Sequence, residues 1–188
     1  MNRLTSVFIR NKEERKARLA LQIKRDWDIR AAQNAILFTV PKVEQQTLEE
    51  FFDYGKQQAY TLTHKSFSEF NFEPAGKRML EIGCGIGRLL TGFTEMFTEV
   101  WGIDVSTEMI AKAAKLLVSP KIKLVSNNGL DLVDIPNNYF DFVFSYNALQ
   151  FVPERWIGLN YLAETYRILR PGGIFQLNFK TRNEVNLR

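Results

Sequence analysis

The residues best placed to do chemistry lie in one short run, Leu80-Glu-Ile-Gly-Cys-Gly-Ile-Gly-Arg88. Glycines at Gly83, Gly85 and Gly87 remove Cβ atoms at alternate positions, so the backbone can turn sharply and approach a ligand closely. Glu81 stands just ahead of them, and Asp104 follows seventeen residues after Gly87. This is a poor phosphate site. A dinucleotide loop wants G-x-G-x-x-G opening a helix, and a phosphate-cradling loop wants Gly-Lys-Ser/Thr. Here the spacing is G-x-G-x-G, with Arg88 where the third glycine of the dinucleotide pattern falls. A carboxylate at Glu81 repels phosphate and attracts a cationic amino group. The ligand implied carries positive charge and no pyrophosphate.

Other chemistries are thinly supplied. One cysteine, Cys84, and one histidine, His64, exclude an internal disulfide and argue against a metal centre built on thiolate or imidazole. Net charge is +4, and the excess is local: the first thirty residues hold nine basic side chains against four acids. Such a segment is either a patch for an anionic partner such as RNA or, more simply, the wet face of an N-terminal helix. No apolar run approaches the roughly 18 residues that span a bilayer, and the N-terminus lacks a secretory core. The expectation is a cytoplasmic protein with no membrane segment. At 188 residues the chain suffices for one domain with a real core.

The elements that must hold these residues can be read from the periodicity. Leu19, Ile23 and Trp27, then Ala31 and Ala35, recur at four-residue spacing and predict a helix over residues 11–38, stopped by Pro41. Thr47-Leu-Glu-Glu50 has the form of a capping box, so a second helix runs from Thr47 towards Asn71, with Leu48, Phe51, Phe52, Ala59 and Leu62 on its buried side. After Pro74 the rhythm changes to strands alternating with helices. Strands are expected at 78–82, 99–103, 121–125, 139–145 and 174–179, with helices from the glycines to about Phe97, from Ser106 to Val118, and over 154–169. That alternation predicts an α/β fold with a mostly parallel sheet and flanking helices. In such a sheet ligands bind beyond the carboxyl ends of the strands, where strand order reverses, and the glycine run falls there.

The chain resembles the class I S-adenosylmethionine-dependent methyltransferases. The likeness starts in Leu80–Arg88 and continues, in the family's order, through Val100-Trp-Gly-Ile-Asp-Val-Ser-Thr-Glu-Met-Ile110, Tyr139-Phe-Asp-Phe-Val-Phe-Ser145 and Leu169-Arg-Pro-Gly-Gly173. It implies a Rossmann-like sheet over residues 74–188 and S-adenosyl-L-methionine as cofactor, with residues 1–73 as an N-terminal helical cap. It also implies a site in which Glu81, Gly83, Cys84, Gly85 and Gly87 face the methionine portion. Asp104 accepts from both ribose hydroxyls, and Val105 and Met109 flank the adenine. Many members carry Gly-Asp-Ala after the third strand; this chain has Asn127-Asn-Gly-Leu-Asp131, so Asn128, Gly129 and Leu130 are expected at the adenine edge, with Asp131 as the alternate. Ser145 and Tyr146 open the loop after the fourth strand. That loop often ends in a histidine in small-molecule members, where Phe151 stands here, leaving Tyr146 and Gln150 as weakly supported catalytic candidates.

The family's sheet usually has seven strands, and only a short polar stretch follows the fifth here. The last strands are therefore expected to be missing, with truncation after the fifth strand favoured over cover from another element or subunit. The function implied is methyl transfer to a small-molecule acceptor. The rivals are an RNA methyltransferase using the basic segment, a non-catalytic cofactor-binding module and, more distantly, a nicotinamide dehydrogenase.

Overall fold

A computed structural model describes residues 3–39 and 47–178, with side chains from residue 13 onward. In chain order the elements are α1 (Arg3–Thr39), α2 (Leu48–Glu69), β1 (Arg78–Ile82), α3 (Leu90–Met96), β2 (Glu99–Asp104), α4 (Thr107–Leu116) and β3 (Ile122–Ser126). They continue through β4 (Phe140–Tyr146), a 3-10 turn at Leu149–Phe151, α5 (Arg155–Ile168) and β5 (Leu169–Asn178). The strands form one sheet in the order β3-β2-β1-β4-β5, every pairing parallel. This is the Rossmann-like arrangement expected, and among the described residues the sheet holds five strands. The expectations placed on Pro41 and the tail beyond Asn178 lie outside the described residues.

Helices cover both faces of the sheet, so its central strands are apolar on both sides. Leu80, Ile82, Trp101, Ile103 and Val143 point into one core, where Ile157, Tyr161 and Ile168 of α5 meet them. Met79, Val100, Phe142 and Phe144 point into the other. The second core is built of phenylalanines: Phe67 of α2 lies edge-to-face on Phe142 at 5.0 Å, and Phe93 of α3 on Phe144 at 5.3 Å.

Helix α2 starts as its capping box predicts. Thr47 Oγ1 accepts from Glu50 N at 3.2 Å, and Thr47 N donates to Glu50 Oε2 at 2.8 Å. T47A should cost about 1 kcal/mol of stability, read as a lower denaturant midpoint with an unchanged slope. The buried stripe differs from expectation at one end: Leu48 is 42% exposed, and Phe51, Gly55, Ala59 and Thr63 face inward. The small inward-facing residues let α2 settle onto the next layer. A Cβ on Gly55 would stand 2.2 Å from the Arg88 carbonyl oxygen, and one on Gly92 would stand 2.8 Å from Ala59 Cβ.

Three boundaries move for physical reasons. Helix α1 is broken at Asn34, whose backbone is extended and whose Oδ1 accepts from Leu37 N at 3.0 Å, so this residue caps a short second segment. Helix α3 starts at Leu90 rather than at the glycines, because positive φ at Gly85 and Gly87 holds the preceding stretch out of the right-handed helical region. Strand β5 starts at Leu169 rather than at Ile174. The Arg-Pro-Gly-Gly turn is an excursion within the strand: Leu169 pairs with Phe140, and pairing resumes at Ile174 with Phe142.

Candidate active site

Strand order reverses between β1 and β4, and a cavity of about 310 Å³ opens there at the carboxyl ends of the strands. Its floor is the loop after β1, its ends are formed by the loops after β2 and β4, and α1 covers it with Ile23 and Trp27.

Asp104, the last residue of β2, anchors one end. Its Oδ2 accepts from Gly85 N at 2.9 Å and its Oδ1 from Ser106 N at 2.9 Å, leaving each oxygen a lone pair for a further donor. Burial raises its pKa above the usual carboxylate range, while the N–H groups of Ser106 and Gly85 oppose that rise. Ser106 in turn caps α4, accepting from Met109 N at 3.1 Å. Val105 and Met109 therefore arrive in the cavity wall as apolar side chains on a fixed turn.

The glycine loop has positive φ at Gly83, Gly85 and Gly87. Gly83 and Gly85 line the cavity together with Cys84, but the space their missing Cβ atoms leave is shared with protein. A Cβ on Gly83 would lie 2.2 Å from Ala148 Cβ, and one on Gly85 would lie 3.0 Å from Thr39 Oγ1. Gly87 faces Leu117 of the α4 end and does not line the cavity. Burial, with Asp104 and Glu81 nearby, pushes the Cys84 thiol well above its usual pKa, so it acts as a packing residue and not a nucleophile.

Of the residues expected at the adenine edge, Gly129 lines the cavity and Asn128 does not. Asn128 Oδ1 accepts from Leu130 N and Asp131 N, and its Nδ2 donates to Asp131 Oδ1, so it closes a turn on the outside. Leu130 is buried in the core. The residue that lines the cavity is Asn127, whose Nδ2 donates to the Tyr161 hydroxyl at 2.7 Å. Ser145 is buried and ties β4 to β1, donating to the Ile82 carbonyl at 3.2 Å, while Tyr146 and Gln150 both reach the cavity. His64 sits on the outer face of α2, stacked on Tyr60, away from the cavity.

The cavity wall also carries a buried pair of opposite charges. Glu81 and Arg88 are 4% and 2% exposed, both line the cavity, and Glu81 Oε2 and Arg88 Nε and Nη1 have no hydrogen-bond partner. Burial pushes the Glu81 carboxyl up to about 8, against the pull of Arg88. Sequence reasoning missed Arg88, along with Asn127, Tyr161 and Ala148. The signal for Arg88 was available, because a basic residue ends the glycine run directly after a carboxylate-bearing strand.

Helix α1 is held over the cavity by Asp28. Its Oδ1 accepts from Ser106 Oγ at 2.7 Å and from Glu108 N at 3.2 Å, and Lys24 donates to Thr107 Oγ1 at 2.7 Å. Trp27 then meets Phe151 of the loop after β4 edge-on at 5.6 Å, closing α1 against the far rim.

A family model described as methyltransferase domain matches residues 80–177, which include every strand of the sheet except β1's first two residues and β5's last. The chain belongs to the methyltransferase domain family. It is 37% identical over 106 residues to the "Probable methyltransferase ltbC" of Aspergillus luteorubrus, covering 51% of this chain and 37% of that one. It is 32% identical over 110 residues to the ubiquinone biosynthesis O-methyltransferase of a Bradyrhizobium strain, covering 58% of this chain and 42% of that one. The chain thus spans less than half the length of these curated relatives. Among solved structures it is similar to the phosphoethanolamine N-methyltransferase 2 of Haemonchus contortus, determined with phosphomonomethylethanolamine and S-adenosylhomocysteine. The TM-score is 0.55 at 26% identity, covering 64% of this chain and 27% of that one.

S-adenosylmethionine is the cofactor of this methyltransferase family, and the cavity's residues fit it. A part-exposed carboxylate with two open lone pairs suits a diol, the apolar pair Val105 and Met109 suits a purine face, and the orphaned Glu81 carboxyl suits an ammonium. The Glu81 assignment yields a stability test. Its folded pKa of about 8 lies above the ordinary value of 4.5, so in the ligand-free protein the group favours the folded state fully only below about pH 4.5. That contribution is lost as pH rises to about 8. E81Q should flatten this decline, melting higher than wild type at pH 8 without ligand while binding S-adenosylhomocysteine more weakly. A parallel pH dependence in the two proteins would refute the raised pKa, and unchanged S-adenosylhomocysteine affinity in E81Q would refute the ammonium assignment.

Proposed function

We propose that this chain binds S-adenosylmethionine in the cavity and transfers its methyl group to a small-molecule acceptor, in a cytoplasmic setting. The observation that carries this reading is Asp104 at the end of β2, fixed by Gly85 and Ser106 with lone pairs left for two adjacent hydroxyls. When bound, the cofactor supplies a methyl group already activated by its sulfonium centre. The chain's own residues position and dry the site. Glu81 takes up the ammonium, and the glycine loop lies along the methionine arm. Residues 1–73 act as a cap over the core formed by 74–188, with Trp27 and Phe151 closing water out above the cavity. Tyr146 and Gln150, on the rim after β4, face the side from which an acceptor enters and orient it.

An RNA acceptor is less well supported, because several basic side chains of the first helix are engaged within the protein. Arg15 pairs with Glu154, Lys16 with Glu13 and Lys24 with Asp28, and Arg30 lies over the Trp27 ring at 4.8 Å. Calorimetry with S-adenosylhomocysteine, then release of labelled methyl over a panel of hydroxyl, amine and RNA acceptors, tests the proposal. Saturable binding with turnover of a small acceptor is expected. Binding of NAD in place of S-adenosylhomocysteine would overturn the reading, and turnover of RNA alone would replace the acceptor class.

A further inference from the structure

Arg88 is the one basic side chain buried among the described residues. Its Nε and Nη1 together carry three N–H groups, and neither nitrogen has a hydrogen-bond partner. The guanidinium lies 5.9 Å from the Phe51 ring and 5.7 Å from the Tyr54 ring, which offsets part of its charge but accepts none of its in-plane hydrogens. Glu81 shares the cavity, yet Glu81 Oε2 is itself without a partner. Leaving a buried cation unpaired costs several kcal/mol. The fold nevertheless maintains the arrangement, with α2 seated on the Arg88 carbonyl at Gly55.

The position within the cavity indicates what the group awaits. In the cofactor reading above, the nucleoside is held at Asp104. The electrostatic neighbours of Arg88 are Glu81, Tyr146 at the end of β4 and Tyr54 of α2, and not Asp104. We infer that Arg88 recognises the methyl acceptor through an anionic group on it, a carboxylate or a phosphate, with the Tyr146 hydroxyl as a second donor. This rests on the cofactor reading above, in which Glu81 takes the ammonium and so has no anion to spare for Arg88. In the ligand-free protein burial disfavours the charged form of Glu81, which weakens it as a counterion for Arg88.

The test uses protein saturated with S-adenosylhomocysteine and three probes at constant ionic strength: benzoate, inorganic phosphate and benzamide. Wild type should bind benzoate or phosphate saturably and not benzamide, and whichever anion binds identifies the source. R88Q should weaken that binding about tenfold or more while changing S-adenosylhomocysteine affinity by less than about threefold. R88K, which keeps the charge, should retain part of the anion affinity and serves as the folded control. Equal anion binding by wild type and R88Q, or none by wild type, overturns the inference alone. So does a tenfold loss of S-adenosylhomocysteine in R88Q that disappears with its decarboxylated analogue, because Arg88 would then hold the cofactor's own carboxylate. Failure of S-adenosylhomocysteine to bind wild type overturns the cofactor reading, and this inference with it.

Discussion

Asp104→Ala should weaken S-adenosylhomocysteine binding by about 3 kcal/mol, roughly a hundredfold, as measured by calorimetry. Two losses combine. The ribose hydroxyls lose a charged acceptor, and hydrogen bonds to charged groups contribute about 1.5–3 kcal/mol each. The Gly85 and Ser106 N–H groups also lose their acceptor, which frees the glycine loop and the turn entering α4. Asp104→Asn separates the two, since it keeps the shape and one acceptor oxygen. It should fall between wild type and the alanine variant in affinity while melting closer to wild type. Unchanged affinity in Asp104→Ala would remove the ribose assignment.

Gly83→Ala should cost about 3 kcal/mol of stability and lower cofactor affinity with it. A left-handed backbone disfavours any Cβ by about 1–2 kcal/mol, and Gly83 sits at φ +76. The new methyl would also meet Ala148 Cβ at 2.2 Å, a contact that forces the loop after β4 away from the loop after β1. Adding Ala148→Gly should recover the steric part and leave the backbone part. Full recovery would mean the φ value carries no cost; no recovery would mean the two loops do not approach as they do in this structure. A Gly83→Ala variant as stable as wild type would refute both terms.

These two residues show how far the sequence could be read. Gly83 was identifiable because its chemistry is local, since alternate glycines after an apolar strand loosen the backbone, and Asp104 because the resemblance to a known family implies an acid at the end of the next strand. The parallel sheet was legible from the alternation of strand and helix, and the α2 start from Thr47 and Glu50. What escaped was whatever depends on the side of a turn. Asn127 and Asn128 are the same residue type, and their neighbours decide which faces inward: Tyr161, thirty-four residues on, takes Asn127, while Leu130 and Asp131 claim Asn128. Likewise the bareness of Gly83 reads in sequence as room for a ligand, whereas Ala148 fills part of it. Arg88 was overlooked because its burial is imposed by Gly55 and Phe51, residues of a helix whose seat on the core no local pattern specifies.

Asp28 belongs to the covering helix, yet it accepts hydrogen bonds from the first turn of α4, the helix that carries Met109. The donors are the Glu108 N–H and the hydroxyls of Ser106 and Thr107, all of which find their acceptor on α1. One carboxylate thus holds the cover and the turn entering α4 together, so the wall that carries Met109 and the helix above it share a single anchor.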